Sequence, residues 1–497
     1  MHLTRLLHFL PSFHLVLHDT SKPTTEILNG YPRGKKELTG LLSSRFSPQQ
    51  AQSWFERQGV ALKTEPDGRM FPITDSSQTV IDALTDAASK GGVQVRKNQK
   101  VVEVHVTSHN DEGTTSRNDS KFRISTQVKD KQTNSKQMKE EAFDAIILAT
   151  GSAPAGYHLA QSILEQSASK KDFFVSPVPS LFTLNTKLDI KEEGCLLYGL
   201  AGVSVPKAHV TFQPEETKDS TNNNDDDKGQ DAPATKKRKR PKKPPAHLQQ
   251  EGPLLVTHHG VSGPSVLRLS AFGAREFHES NYRGTLRIHW APDLGNVEDI
   301  SQALWKMTQS NPKRRIVTGC PLTVTSTVKD SSACSSSQFD DDHDDAIHGH
   351  DNNNKRNNDI NDNVKERGFV EKTMAAIPKR LWYSLVTNAC GIPDTTTWAD
   401  ANKKSIRKLS TLMAECDVQV TGKGTFKDEF VTAGGVALKE IDMKTMMSKS
   451  CSGFFLCGEV INVDGVTGGY NFMNCWGTGH VAGSSAVDFV LGEDATK

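Results

Sequence analysis

The chemistry-bearing residues of this 497-residue chain concentrate between Gly453 and Gly483. The apolar run Phe454-Phe455-Leu456-Cys457 ends at Gly458-Glu459, and a loop follows that carries Asp464, Gly465, Gly468, Gly469, Tyr470 and Asn471. A strand that ends in a carboxylate and passes through a glycine loop into a helix is the layout of a ligand site at the edge of an open α/β sheet. Absent side chains let backbone approach a flat, charged ligand. A helix N-terminus offers free N–H groups and partial positive charge to an anion. Gly477, Gly479, Ala482, Gly483 and Ala486 predict a helix start packed close to a sheet. A glycine-rich turn between two core elements would explain one such glycine, but this many in one loop favour a ligand.

A second stretch, Asp144 to Gly151, is a continuous apolar strand ending in Ala149-Thr150-Gly151. Such an ending suits a parallel strand whose carboxyl end a cofactor crosses. The remaining elements must position these two. Ser47-Pro48 predicts a helix start with an N-cap and a proline at the first helical position, and Ala51, Trp54 and Phe55 form its apolar face. Residues 60–63 and 69–72 read as strands, and 76–90 as a helix with Val80, Ile81, Leu84 and Ala87 on one face. Residues 93–95, 100–106 and 122–127 read as further strands, with 109–120 as a hairpin tip. From 177 the pattern turns to short strands at 195–198, 208–212, 254–256 and 286–289, with one helix over 266–277 capped at Ser262-Gly263-Pro264-Ser265. Residues 299–319 and 371–415 read as helical.

The 60 basic and 59 acidic residues leave a net charge of +1, so charge gives no global pull toward nucleic acid or membrane. No apolar run approaches the roughly 18 residues of a membrane span. Eight cysteines without a CxxC read as reduced, mostly buried thiols, and no metal site is expected. Residues 215–247 and 325–365 are low-complexity inserts, expected to be disordered because they bury too little apolar area. Lys236 to Lys243 has the composition of a nuclear-import or nucleic-acid patch, although a solvated loop balanced by nearby aspartates is favoured. Residues 1–18 read either as a weak organelle-targeting segment or as a misplaced start. The expected location is intracellular, in the cytoplasm, with an organelle or the nucleus as alternatives. Oligomeric state is not readable.

Several segments together resemble the BaiN-like flavoproteins, a family with bile-acid-reductase-like and aminoacetone-oxidase-like members. They include 31–84, DAIILATGSAP (144–154), SPVPSLFTL (176–184), LAGVSVPKAHV (200–210), 252–276, IHWAPDL (288–294), 430–449 and FFLCGEVINVDGVTGGYNFMNCWGTGH (454–480). The resemblance implies an α/β fold of the FAD-binding, two-dinucleotide-binding-domain class. Residues 31–176 and 425–493 would form the discontinuous FAD-binding domain, 177–298 an inserted β-rich domain and 299–424 a mainly helical domain. Nothing in residues 1–30 matches the strand, G-x-G-x-x-G turn and helix with which family members grip the ADP half of FAD. The abrupt start of similarity near Tyr31 favours a gene-model artefact over a real loss. A parallel sheet without that first strand would leave a neighbouring edge uncovered.

The resemblance implies an FAD-dependent oxidoreductase moving a hydride or electron pair between NAD(P)H and a small organic substrate, by enone reduction or amine oxidation. It places Glu459 on the ribitol hydroxyls and Gly458 in the turn before it. Gly468, Gly469, Tyr470 and Asn471 line the flavin ring, Asp464 shapes their loop, and Ala149, Thr150 and Gly151 lie toward the adenine side. Thr257, His258 and Gly260, with Thr432, Gly434 and Gly435, also approach the ring, and His258 is the candidate catalytic group. The helix after Gly477 would turn its N-terminus to the charge that develops on reduction. The alternative is a truncated, inactive relative that binds nuclear or nucleic-acid partners through 236–243.

Overall fold

The computed structural model describes residues 17–18, 20–65, 68–107, 121–129, 136–168, 172–187, 196–215, 245–329, 369–424 and 431–492. The hairpin tip 109–120, the basic run 236–243 and nearly all of both inserts lie outside the described residues. The chain divides into two units: residues 1–190, 197–289 and 416–497, and residues 191–196 with 290–415. Among the described residues no helix is long and apolar enough to cross a membrane.

Seven elements of the first unit position the candidate site. In chain order they are β1 (Ile146–Leu148), α1 (Pro154–Ser167), β2 (Phe174–Ser180), α2 (Pro264–Phe272), β3 (Val431–Val436), β4 (Phe454–Leu456) and α3 (Tyr470–Leu491). β1 and β4 are parallel, with Ile146, Ile147 and Leu148 opposite Phe454, Phe455 and Leu456. Short antiparallel strands at 447–448 and 441–442 complete that sheet beyond β4. Phe454, Phe455 and Leu456 are fully buried in a core that also takes Leu41, Leu42, Phe55, Ile163 and Leu164. An unbroken apolar triplet is what a strand covered on both faces requires. Ser47 caps the helix Pro48–Arg57 and closes a reciprocal capping box with Gln50.

The same unit holds a closed six-stranded barrel, ordered Ser204–Pro214, Gln249–Val256, Gly260–Ser262, Leu184–Thr186, Cys416–Lys423, Gly284–His289. Val205, Ala208, Val210 and Phe212 are buried along its longest strand. Phe212 stacks on Phe277, ring centroids 3.8 Å apart. In the second unit the helix Val297–Ser310 begins in a capping box between Asn296 and Asp299. Trp290, Trp382 and Trp398 are fully buried there, and the Trp382 indole donates to the Ile316 carbonyl at 2.7 Å.

Four expectations are corrected. Residues 93–95 form no strand: Val93 and Val95 are 59% and 65% exposed, because no described strand runs beside them. Residues 196–199 form turns, not part of a strand. The helix read over 266–277 is two helices, Pro264–Phe272 and Ala274–Glu279, which meet at Gly273, where a Cβ would stand 2.6 Å from Leu248 Cδ2. Residues 369–375, read partly as helix, are a strand antiparallel to Thr323–Lys329, which itself enters the expected insert. That partner carries five β-branched residues (323–325, 327 and 328), a composition suited to a strand despite its polarity.

Candidate functional site

Parallel pairing of β1 with β4 brings the two glycine turns side by side. The Cys457 N–H donates to the Leu148 carbonyl at 3.2 Å, so Ala149–Gly151 and Gly458–Glu459 leave the sheet together. A Cβ built on Gly151 would sit 3.9 Å from Glu459 Oε2. Gly458 has φ +76°, a left-handed conformation that favours glycine. Two side chains of α3 hold that turn: Thr478 Oγ1 accepts the Gly458 N–H at 2.9 Å, and Asn474 Nδ2 donates to the Gly458 carbonyl at 3.3 Å. From α1, the Tyr157 hydroxyl donates to the Glu459 carbonyl at 3.4 Å.

The loop beyond Glu459 is closed by Asn471. Its Oδ1 accepts the Gly465 N–H at 2.7 Å and its Nδ2 donates to the Gly465 carbonyl at 2.9 Å. Gly468 and Gly469 have φ of +113° and +91°, and Gly469 is the N-cap of α3. The helix therefore starts at Tyr470, not at Gly477. Gly477 lies inside it, where a Cβ would meet Leu41 Cδ2 at 2.7 Å. The expected pairing of a helix N-terminus with the loop holds, but Tyr470 and Asn471 carry that terminus.

Asp464 is fully buried and forms an ion pair with Arg33. Ser180 Oγ, at the end of β2, donates to Asp464 at 3.1 Å, and Arg33 also donates to the Ala271 carbonyl of α2 at 2.7 Å. The Asp464 carboxylate thus ties the loop to β2 and, through Arg33, to α2. Burial pushes its carboxyl up from the usual range, against the pull of Arg33 and Ser180. Glu459 is pushed up to about 7, first by burial and then by the charge of Asp464. Cys457 and Cys475 are raised by burial, Cys457 to about 11, so both are thiols near neutrality.

In β3, a Cβ on Gly435 would stand 2.5 Å from the Val460 carbonyl oxygen, and one on Gly434 would stand 2.7 Å from that of Ser176. Close backbone packing against 460–461 and β2 accounts for both glycines. Thr432 is half-buried beside them, opposite Pro179. His258 is exposed in the barrel turn where Thr257 Oγ1 accepts the Gly260 N–H at 3.1 Å. Four contributors were not singled out from sequence. They are Arg33, Asn474, Thr478 and Tyr31, whose hydroxyl donates to the Tyr470 carbonyl at 2.7 Å. The i, i+4 spacing of Asn474 and Thr478 on a helix was the available signal.

A parallel strand pair whose carboxyl ends meet a glycine loop and a helix N-terminus defines a Rossmann-type nucleotide-cofactor protein. A sequence profile described as "HI0933-like protein Rossmann domain" matches residues 16–485, and the chain belongs to that family. The family is FAD-binding. The match begins upstream of Tyr31, where the segment-by-segment resemblance starts. Ribosomal RNA dihydrouridine synthase of Haemophilus influenzae is 21% identical over 428 residues, 86% of this chain and 77% of that protein. The 3-dehydro-bile acid delta(4,6)-reductase of Clostridium scindens is 40% identical over 63 residues, 13% of this chain and 15% of that protein. The Escherichia coli ribosomal RNA dihydrouridine synthase is 31% identical over 115 residues, 23% of this chain and 28% of that protein.

The residues fit the ring-and-ribityl part of FAD. Asn462 Oδ1 and Asn474 Oδ1 are buried without a hydrogen-bond partner, and Glu459 stands at the strand ends with its carboxyl raised. Two orphaned acceptors beside a glycine loop suit the hydroxyl and N–H donors of a polyol and a heteroaromatic ring. Among the described residues β1 has no strand neighbour besides β4.

Proposed function

We propose that this protein is an FAD-dependent reductase of a carbon–carbon double bond conjugated to a carbonyl, with NAD(P)H as the electron donor. The broader class, a flavin oxidoreductase, follows from the family. The finer reading is supported by what two relatives' names share. Both a dihydrouridine synthase and a delta(4,6)-reductase act on a double bond in a ring that also carries a carbonyl. Amine oxidation has no such support, and binding of nucleic acid through 236–243 as the protein's whole function is not favoured. In the domain arrangement we propose, 31–176 and 425–493 hold the flavin.

The observation that carries the reading is the juxtaposition of Glu459 with Gly151 at the ends of β4 and β1, backed by the N-terminus of α3. When bound, FAD supplies hydride transfer. The chain's own residues orient and hold charge. Glu459, raised toward neutrality, holds a proton over part of the population at pH 7 and can donate to a hydroxyl or accept from one. The first-turn N–H groups of α3 favour negative charge at the loop. Asn474 and Thr478 fix the Gly458 backbone so that Glu459 keeps its place. His258 stays the candidate donor of a proton to substrate, from the barrel turn.

The test is spectroscopic. The purified full-length chain should carry, or take up, FAD with the two visible flavin bands, and NADH or NADPH should bleach them anaerobically. Re-oxidation by a conjugated enone or by uridine in RNA, but not by a primary amine's imine, is the expected second half. A colourless protein with no affinity for FAD would sink the proposal.

A further inference from the structure

A cavity of about 250 Å³ opens on the outer side of the 465–471 loop, lined by Lys22, Glu26, Asn29, Arg268, Val466 and Tyr470 among others. Its walls come from three separate stretches of the first unit. Arg268 projects from α2, Lys22 precedes the short helix Thr24–Ile27 and Asn29 lies in the 3-10 turn Leu28–Gly30 that follows it, and Tyr470 opens α3. The Val466 N–H donates to the Gly30 carbonyl at 2.8 Å, which fixes the loop to that segment. A T-shaped contact with Tyr31, ring centroids 5.6 Å apart, steadies the Tyr470 ring.

The charges at this cavity are unbalanced toward positive. Lys22 pairs with Glu26 at 2.6 Å, an exposed i, i+4 contact. Such a pair is worth well under about 1 kcal/mol, so Glu26 alone does not withhold Lys22 from a stronger anion. Arg268 has no ion-pair partner among the described residues, is exposed, and lies close enough to act on the Tyr470 hydroxyl. Lys35 Nζ donates to Asn29 Oδ1 at 2.6 Å, placing a third cation behind the rim. Planar, multiply donating guanidinium and a lysine beside it are the usual partners of phosphate oxygens. The volume takes a phosphate with a sugar or a base and is too small for a dinucleotide.

We infer that this cavity is a subsite for the phosphate of a nucleotide, with Arg268 and Lys22 as its cations, adjoining the loop where the reactive ring of the substrate is turned over. The inference rests on the proposed reading of that loop. The nucleotide phosphate has two sources with the same chemistry, a strand of RNA or the nicotinamide donor. Glu26 then acts as a built-in competitor that occupies Lys22 when no ligand is present.

Binding of a fluorescent single-stranded oligouridylate and of NADPH to the full chain separates these sources. Arg268→Ala and Lys22→Ala should each weaken one of the two probes about tenfold, the loss of one charge-assisted bond. If RNA is the ligand, each variant also lowers the salt slope of binding by about one. Glu26→Gln should tighten the same probe, and Lys90→Ala, an exposed helix lysine elsewhere, should leave it unchanged. Wild-type affinity for both probes in Arg268→Ala and Lys22→Ala overturns the subsite, as does an equal loss in Lys90→Ala. Flavin content, read from each protein's spectrum, should not change. Failure of the wild-type chain to hold flavin would count against the proposed reductase, while the binding comparison would still be decided on its own.

Discussion

Within the first unit, each barrel strand has two hydrogen-bonded neighbours, whereas β1 has a described neighbour only in β4. The barrel's inward side chains are sealed: Val210, Phe212, Leu254, Val256 and Leu286 have no exposure. At β1, Ile147 is 41% exposed, and the 93–97 segment is irregular with its valines in solvent. Closure removes edges and makes a region self-sufficient. The open sheet spends that security at the ends of β1 and β4, where its glycine turns are laid bare for a ligand. The two regions should therefore answer mutation in opposite ways.

The largest effect is expected in the barrel. Phe212→Ala should cost about 3–5 kcal/mol in urea denaturation, because it empties a fully buried stack on Phe277. A cost below about 1 kcal/mol would mean that the barrel collapses around the gap and is less rigid than its closure implies. Glu459→Gln tests the open end. The Glu459 carboxyl is raised from 4.5 to about 7 in the fold, so its contribution is fully present below the unfolded value and is lost as pH rises through the folded one. The flavin-free Gln variant should be more stable than wild type by about 1–3 kcal/mol near pH 8, with the gap closing toward about pH 5. A pH-independent difference would show that Glu459 is not held in a desolvating pocket. Ile147→Thr is the smallest: melting should shift by less than about 0.5 kcal/mol, since an exposed edge residue has little to lose. A loss like that of Phe212→Ala would show that the edge of β1 is covered in solution.

Much of this contrast was legible in the residues. Ser47-Pro48 announced a helix start by cap chemistry alone, and the capping box is there. The apolar triplets at 146–148 and 454–456 announced parallel strands; the second is buried on both faces and has no polar alternation to confuse the reading, while the first pairs with it although Ile147 is exposed. Residues 93–95 misled for the converse reason. Their alternation is real, but a strand is a relation between two chains, and none of the described residues supplies the second. The start of α3 was misplaced because Gly477 and Gly479 look like breakers, whereas both lie inside the helix, Gly477 where it packs closely on Leu41 and Gly479 in open space. Arg33 could not be picked out at all. Its role depends on Asp464, far away in sequence, and no local pattern encodes an ion pair of that separation.

The Asn471 side chain bonds both polar groups of the Gly465 peptide backbone, as a neighbouring strand would. The six-residue span between them is in this way given its shape before any ligand arrives. Ordering a loop of that length on binding would otherwise cost about 1 kcal/mol or more for each residue fixed. A guest meeting the loop finds that entropy already spent during folding, so more of its contact energy can appear as affinity.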